Sequence, residues 1–171
     1  MGDDSKPEKG RDVVYVPDTS AILTGKIDIL SMRCVVPSGV IKEIRKGMMG
    51  RLMDHEMCVI QIIDPKSAYM EKVKMAARET GDLPYLSQTD MDIIAVALEI
   101  GGVIISDDYS LQNVSSKLKI EFQGCGLECI KSRIRWGYVC KGCGAKYEEK
   151  VENCRICGHK ITRYPLDQEE R

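Results

Sequence analysis

Short aliphatic runs alternate with longer segments of helical period over the first 122 residues. Val13–Val16 is the first such run and predicts a β-strand. It breaks at Pro17-Asp18-Thr19-Ser20, and Ile22, Leu23, Ile27 and Leu30 predict short helical turns after it. Cys34–Val36 predicts a second strand running into Pro37-Ser38, where Ser38 can cap a helix that opens VIKEIRKG. Gly47 and Gly50 weaken that helix on its way toward Met57. Val59–Ile63 predicts an edge strand, and Pro65 opens a helix that continues to Glu79 and stops at Gly81. Ser87 and Asp90 fit the S-x-x-D capping pattern at the head of MDIIAVALEIGG, with Gly101 as its stop. That helix is apolar on most sides and is expected at the centre of the fold. Val103–Ile105 predicts a buried strand ending at Ser106-Asp107-Asp108, followed by a helix over Leu111–Leu118 and a strand over Lys119–Phe122. Strand and helix alternate throughout. The fold class is therefore α/β: a parallel sheet between two helical layers, spanning residues 12–124.

The remainder follows a different pattern. Residues 1–11 are polar, without periodicity, and read as a disordered tail. Residues 125–135 read as a linker, residues 136–164 as a small module of two short hairpins, and residues 165–171 as a trailing tail.

Cysteine spacing changes the picture of the small module. Cys140-x₂-Cys143 is followed, ten residues later, by Cys154-x₂-Cys157. Two such knuckles are a zinc-ribbon signature, and four thiolates leave no open position, so the expected metal is one structural Zn²⁺. Cys125 and Cys129 lack two further ligands and read as a loop thiol and a packed thiol, and Cys34 and Cys58 read as core. Eight cysteines without an export signal argue for a reducing compartment, expected to be the cytoplasm. No apolar run approaches the roughly 18 residues of a membrane span.

Charge divides the same way. The net charge is −1, but residues 1–130 carry 15 Lys/Arg against 20 Asp/Glu, and residues 131–164 carry nine against three. A basic module beside an acidic body is the footprint of a phosphate backbone. Lys131, Arg133 and Arg135 alternate with other residues, which puts them on one face of an extended strand. With Lys141, Lys146 and Arg155 they form the expected RNA track. Trp136 and Tyr138 can stack on bases or anchor the module to the first domain. Lys42, Arg45, Lys46 and Arg51 either guide RNA or form a solvated helix face.

The acidic residues supply the candidate chemistry. Asp18, Asp107 and Asp108 follow strand ends, and Glu43 and Asp90 fall in the helices that follow. In a parallel sheet these positions converge on the carboxyl edge, where ligands bind. Carboxylates gathered there repel one another unless a cation neutralises them, and oxygen-only ligands suit Mg²⁺ or Mn²⁺. Asp90 also has a plain structural reading as the third residue of a capping box. His55 and His159 are the only histidines and are far apart, which argues against a two-histidine ribonuclease. No G-x-x-x-x-G-K-[ST] loop is present to bind ATP.

VPDTSAIL, VIKEI, LSQTDMDIIAVALEIGG and VIISDDYSLQNV together resemble the PIN-domain nucleases. SDDYSLQNV followed by IKSRIRWGYVCKGCG resembles one branch, the NOB family of ribosome-biogenesis endoribonucleases, in which a PIN domain is joined to a zinc ribbon. Absence of long insertions makes the chain similar to archaeal members. By position, the resemblance implies Asp18, Glu43, Asp90 and either Asp107 or Asp108 as ligands of the catalytic ion, with Ser20 orienting Asp18; the T-x-D spacing common in PIN domains, read from Ser106, would select Asp108. Asp92, two residues past Asp90, is expected to point elsewhere on its helix. It also implies hydrolysis of single-stranded RNA to a 3′-hydroxyl and a 5′-phosphate. The implied partners are precursor small-subunit ribosomal RNA, cut at its 3′ end, and the pre-ribosomal small subunit. The alternative is a non-catalytic rRNA-binding assembly factor.

Overall fold

The computed structural model describes residues 13–46 and 59–170. Gly47, Gly50, Arg51, His55, Met57, Cys58 and the segment 1–11 lie outside the described residues. The first domain is built from β1 (Val14–Pro17), α1 (Thr19–Leu23), β2 (Arg33–Val36), α2 (Ser38–Lys46), β3 (Gln61–Ile62), α3 (Ser67–Thr80), α4 (Gln88–Ile100), β4 (Val103–Ile105), α5 (Tyr109–Lys117) and β5 (Phe122–Gln123). The strands form one sheet in the order β3-β2-β1-β4-β5, with every neighbouring pair parallel.

The core is aliphatic, as expected from a chain with one Phe and one Trp. Ile93 to Ala97 of α4 are five consecutive buried residues, so this helix is enclosed on all sides rather than along one stripe. Its ends are set by local chemistry. Ser87 and Asp90 form a complete capping box at the start, and Gly101 takes the left-handed conformation (φ +67°) at the end.

The last strand is displaced from its expected position. Lys119 has φ +58° and does for α5 what a glycine usually does, terminating the helix in the left-handed region. The chain re-enters the sheet only at Phe122, so β5 is Phe122–Gln123 and not Lys119–Phe122.

Residues beyond 130 also differ from expectation. β6 (Ser132–Cys140) pairs antiparallel with β7 (Lys146–Tyr147) on one side and β8 (Ile161–Glu170) on the other. Residues 132–135, expected in a linker, and residues 165–170, expected as a tail, are thus strand partners. Pro165 is accommodated because the register shifts between Arg135 and Trp136, a bulge that relieves the ladder where Pro has no N–H to offer.

The three-stranded sheet is fastened to the first domain. The Tyr138 hydroxyl donates to the Gly81 carbonyl at 3.1 Å. Asn113 of α5 pairs with the Ile134 backbone through both ends of its amide, at 2.7 and 2.8 Å. Asp82, fully buried, is met by Asn113 Nδ2 at 2.5 Å and by Arg163 of β8 at 3.3 Å. Close approach also constrains Gly81, because a Cβ there would stand 2.6 Å from the Trp136 carbonyl oxygen. The backbone at Trp136 therefore packs directly against the end of α3.

Candidate functional site

The carboxyl ends of β1 and β4 lie side by side, with Pro17 opposite Ile105. The pairing continues one residue further, where the Asp18 N–H donates to the Ile105 carbonyl at 2.9 Å. Asp18 and the Ser106-Asp107-Asp108 turn therefore leave the sheet at the same edge. Asp18 is only 6 % exposed. Its Oδ1 accepts from the Ala21 N–H at 2.6 Å and from the Ser20 hydroxyl at 2.9 Å, and its Oδ2 accepts from the Ser106 hydroxyl. Three donors hold this carboxylate in one orientation. Glu43 of α2 comes to the same edge and accepts from the Thr19 hydroxyl.

Asp90 has the structural role its spacing implied. Its Oδ2 accepts from the Ser87 N–H at 2.8 Å, and its own N–H donates to Ser87 Oγ at 3.1 Å. It also faces the other acids. Burial pushes its carboxyl above the usual range, and repulsion from Asp108 and Glu43 pushes in the same direction, against the hydrogen bonds from Ser87. Asp92, by contrast, is engaged by Gln88 at 2.8 Å. Burial, and secondarily Asp64, raise its carboxyl, so it belongs to a different neighbourhood.

Asp107 and Asp108 diverge. Asp108 caps α5, accepting from Ser110 and Leu111 N–H at 2.7 and 3.0 Å, and stays in electrostatic contact with Asp90. Asp107 turns to the following loop. Its Oδ1 accepts from the N–H groups of Cys125, Gly126 and Leu127 at 2.9, 3.3 and 3.3 Å, and its Oδ2 from the Cys125 thiol at 3.1 Å. These bonds, the thiol first, hold Asp107 below the usual carboxylate range. The Cys125 thiol is driven up to about 11 by burial and by this carboxylate. Asp107 is a loop fastener. Two more residues support the edge: Ser106, the first position of the T-x-D spacing, and Gln112, whose amide joins the Ser106 carbonyl (2.7 Å) to the Ile130 N–H (2.9 Å). Gln112 reads locally as an ordinary polar position, and sequence reasoning passed it over.

The four cysteines close together. The sulfur atoms of Cys140, Cys143, Cys154 and Cys157 all lie within 4.8 Å of one another, and none is in a disulfide. Backbone N–H groups of Gly142 and Ile156 point at Cys140 and Cys154 sulfur, at 3.3 and 3.4 Å. Four sulfur donors with N–H support suit a tetrahedral zinc ion, and the cluster can hold one. Among the described residues, the carboxylates do not gather three ligand oxygens within that same span.

The basic residues are not equally available. Arg135 is ion-paired with Asp167 of β8 at 2.6 Å, and Arg133 stands opposite Glu169 in the register. Lys131 pairs with Glu128 at 3.1 Å, in full solvent. Lys141, Lys146 and Arg155 are exposed, with Lys146 over the Tyr164 ring at 5.7 Å. Asp167 thus neutralises Arg135 of the expected track, which a free tail would not do.

A family model, the PIN domain of ribonuclease, matches residues 15–100. The chain belongs to the PIN-domain ribonuclease family. Ribonuclease VapC1 of Thermoplasma acidophilum is 40 % identical to it over 152 residues, covering 89 % of this chain and 78 % of its own. Endoribonuclease Nob1 of Archaeoglobus fulgidus is 36 % identical over 150 residues, covering 85 % and 87 %, and that of Methanocaldococcus jannaschii is 33 % identical over 156 residues, covering 88 % and 77 %. A crystal structure of PAE2754 from Pyrobaculum aerophilum overlays 67 % of this chain and 90 % of its own at 22 % identity, with a TM-score of 0.45. In this PIN domain, no helix of the described residues is long and apolar enough to cross a membrane.

Proposed function

We propose that the chain is a metal-dependent endoribonuclease that hydrolyses single-stranded RNA to a 3′-hydroxyl and a 5′-phosphate. Its physiological substrate in this reading is the 3′ end of precursor small-subunit rRNA within the pre-ribosomal small subunit. The observations that support the proposal are that Asp18 leaves the sheet beside the end of β4, which leads into the turn of Asp108, that Thr19, next to Asp18, holds Glu43, and that Asp108 and Glu43 repel Asp90. Repelling carboxylates fit a hard divalent ion, Mg²⁺ or Mn²⁺, which those four residues would hold. When bound, such an ion polarises the phosphate and activates water. The chain's own residues prepare the site. Ser20, Ser106 and the Ala21 N–H fix Asp18, and Thr19 steers Glu43. The names of the Nob1 relatives, endoribonucleases, support RNA as substrate. In the same reading Cys140, Cys143, Cys154 and Cys157 bind one structural Zn²⁺, and the basic small sheet grips the RNA backbone.

One observation favours a second reading. Asp18 and Asp108 each cap a helix start and Asp90 completes the capping box of Ser87, so each has a structural reason to exist in a non-catalytic rRNA-binding assembly factor. Cleavage of an rRNA fragment with Mn²⁺ or Mg²⁺, by the unaltered chain and by Asp18→Asn, separates the two. The nuclease reading expects cleavage that Asp18→Asn abolishes while RNA binding persists. Undiminished cleavage by Asp18→Asn would overturn it.

A further inference from the structure

A cleft opens at the seam of the two sheets, immediately beside the acid edge. Its walls include Tyr109 and Ser110 from the first turn of α5, Lys131 and Trp136 from the β6 side, and Arg163 from β8. Its volume is about 360 Å³, in the range of about 300–1,000 Å³ typical of small-molecule sites. The polar groups at its base are already matched. Asn113 is engaged with Ile134 and Asp82, and Asp82 with Asn113 and Arg163. Among the described residues no buried side-chain nitrogen or oxygen lacks a partner. An occupant is therefore not asked for any particular hydrogen bond.

The walls ask instead for a flat ring attached to an anion. The Arg163 guanidinium lies 4.0 Å from the centre of the Trp136 ring and 4.3 Å from that of Tyr85, so a stacked wall stands ready before any ligand enters. Tyr109 is 56 % exposed, although it directly follows Asp108, the cap of α5. Lys131 stands at the rim, and its exposed pair with Glu128 is weak enough to exchange for a phosphate. Aromatic and guanidinium planes with a cation at the rim are how proteins hold unpaired bases.

We propose that this cleft binds one nucleobase of the RNA strand whose phosphodiester lies at the acid edge. The proposal rests on the endoribonuclease reading and adds a base subsite to it. Stacking tolerates any base, so the subsite does not read sequence. It reads whether a base is free of its duplex partner, because a paired base cannot leave its stack to enter. Selection for single strands thus comes from the seam between the sheets.

Trp136 is the only tryptophan of the chain, so its fluorescence reports on the cleft. The probe is a uridine hexanucleotide titrated into the full-length Asp18→Asn chain, alongside hexanucleotides with one abasic site moved through each position. Expected is a saturable quench with the intact strand. At one position the abasic site removes the quench and weakens binding about tenfold, the size of one base–aromatic stack. Tyr109→Ala weakens the intact strand similarly but leaves that abasic strand unaffected, and Tyr109→Phe restores binding. Every abasic strand behaving like the intact one would overturn the proposal, as would Tyr109→Ala weakening intact and abasic strands equally. Cleavage by the unaltered chain is scored separately. Absence of cleavage counts against the nuclease reading, and absence of base-dependent quenching counts against the cleft.

Discussion

Asp90 serves two roles that substitution can pull apart. As a cap it offers an acceptor to the Ser87 N–H at 2.8 Å. As a member of the acid edge it carries a charge that Asp108 and Glu43 oppose. Asp90→Asn keeps an acceptor at the cap and removes the charge. Asp90→Ala removes both. Loss of a cap of this kind costs about 1 kcal/mol. In a chain of this size that is roughly 2–4 °C in Tm. The Asn variant is therefore expected to melt at or above the unaltered protein in buffer without added divalent ion, and the Ala variant about 2–4 °C below it. In both, cleavage should be lost, and the rise in Tm produced by Mn²⁺ should shrink, because ligand-linked stabilisation falls with affinity. Differential scanning fluorimetry with and without Mn²⁺, together with an RNA cleavage assay on the same preparations, gives all three readouts. Cleavage and the Mn²⁺-induced rise in Tm both retained in the Asn variant, with the loss of stability confined to the Ala variant, would show that Asp90 is only a cap, and the reasoning about the acid edge would fail.

Asp107→Asn should lower Tm through the loosened 125–127 loop while leaving the Mn²⁺-induced stabilisation intact, whereas Asp108→Asn should diminish it; the reverse assignment would refute the geometry. Asp167→Asn frees Arg135 and should tighten RNA binding, steepening the log–log salt slope by up to about 0.7; an unchanged slope would mean that Arg135 does not meet phosphate. Asp82 provides a pH test. Burial raises its carboxyl, against hydrogen bonds from Asn113 and Thr80, the charge of Arg163 and a hydrogen bond from Ser110. A raised acid favours folding while protonated, so its contribution is full below the ordinary value of 3.8 and is lost as pH rises through its higher folded-state value. The Tm of Asp82→Asn relative to the unaltered chain should therefore climb as pH is raised from about 3.8 upward; a flat difference would contradict the burial argument.

Much of the fold was legible in the chain because local patterns carry it. The β-branched runs at Val13–Val16, Cys34–Val36 and Val103–Ile105 coincide with strands, and the S-x-x-D and Gly signals bound the central helix where they were expected. The Cys-x₂-Cys pairs also declared their cluster, since each knuckle is a local turn and only one meeting of the two is sterically simple. Strand-end acids could be assigned to one edge because a parallel sheet puts every strand's carboxyl end on the same side.

Tertiary structure decided the rest. Asp107 and Asp108 are adjacent and chemically identical; spacing from Ser106 favoured Asp108, and the loop at 125–127, folding back from nearly 20 residues away, is what diverts Asp107. Lys119 in the left-handed region breaks the rule that such positions fall to Gly or Asn, so nothing local marked the shortened strand. Pro165 read as an end because Pro usually forbids a ladder, yet the bulge opposite Arg135 and Trp136 admits it, and Asp167 beyond it meets Arg135. Asn113 and Gln112 looked like ordinary helix positions until β6 and the segment before it arrived to use their amides. Period, caps and turns are properties of a few neighbouring residues and survive in the one-dimensional string. Which carboxylate faces which, and which cation is already neutralised, depend on partners tens of residues away, brought together only when the core is buried.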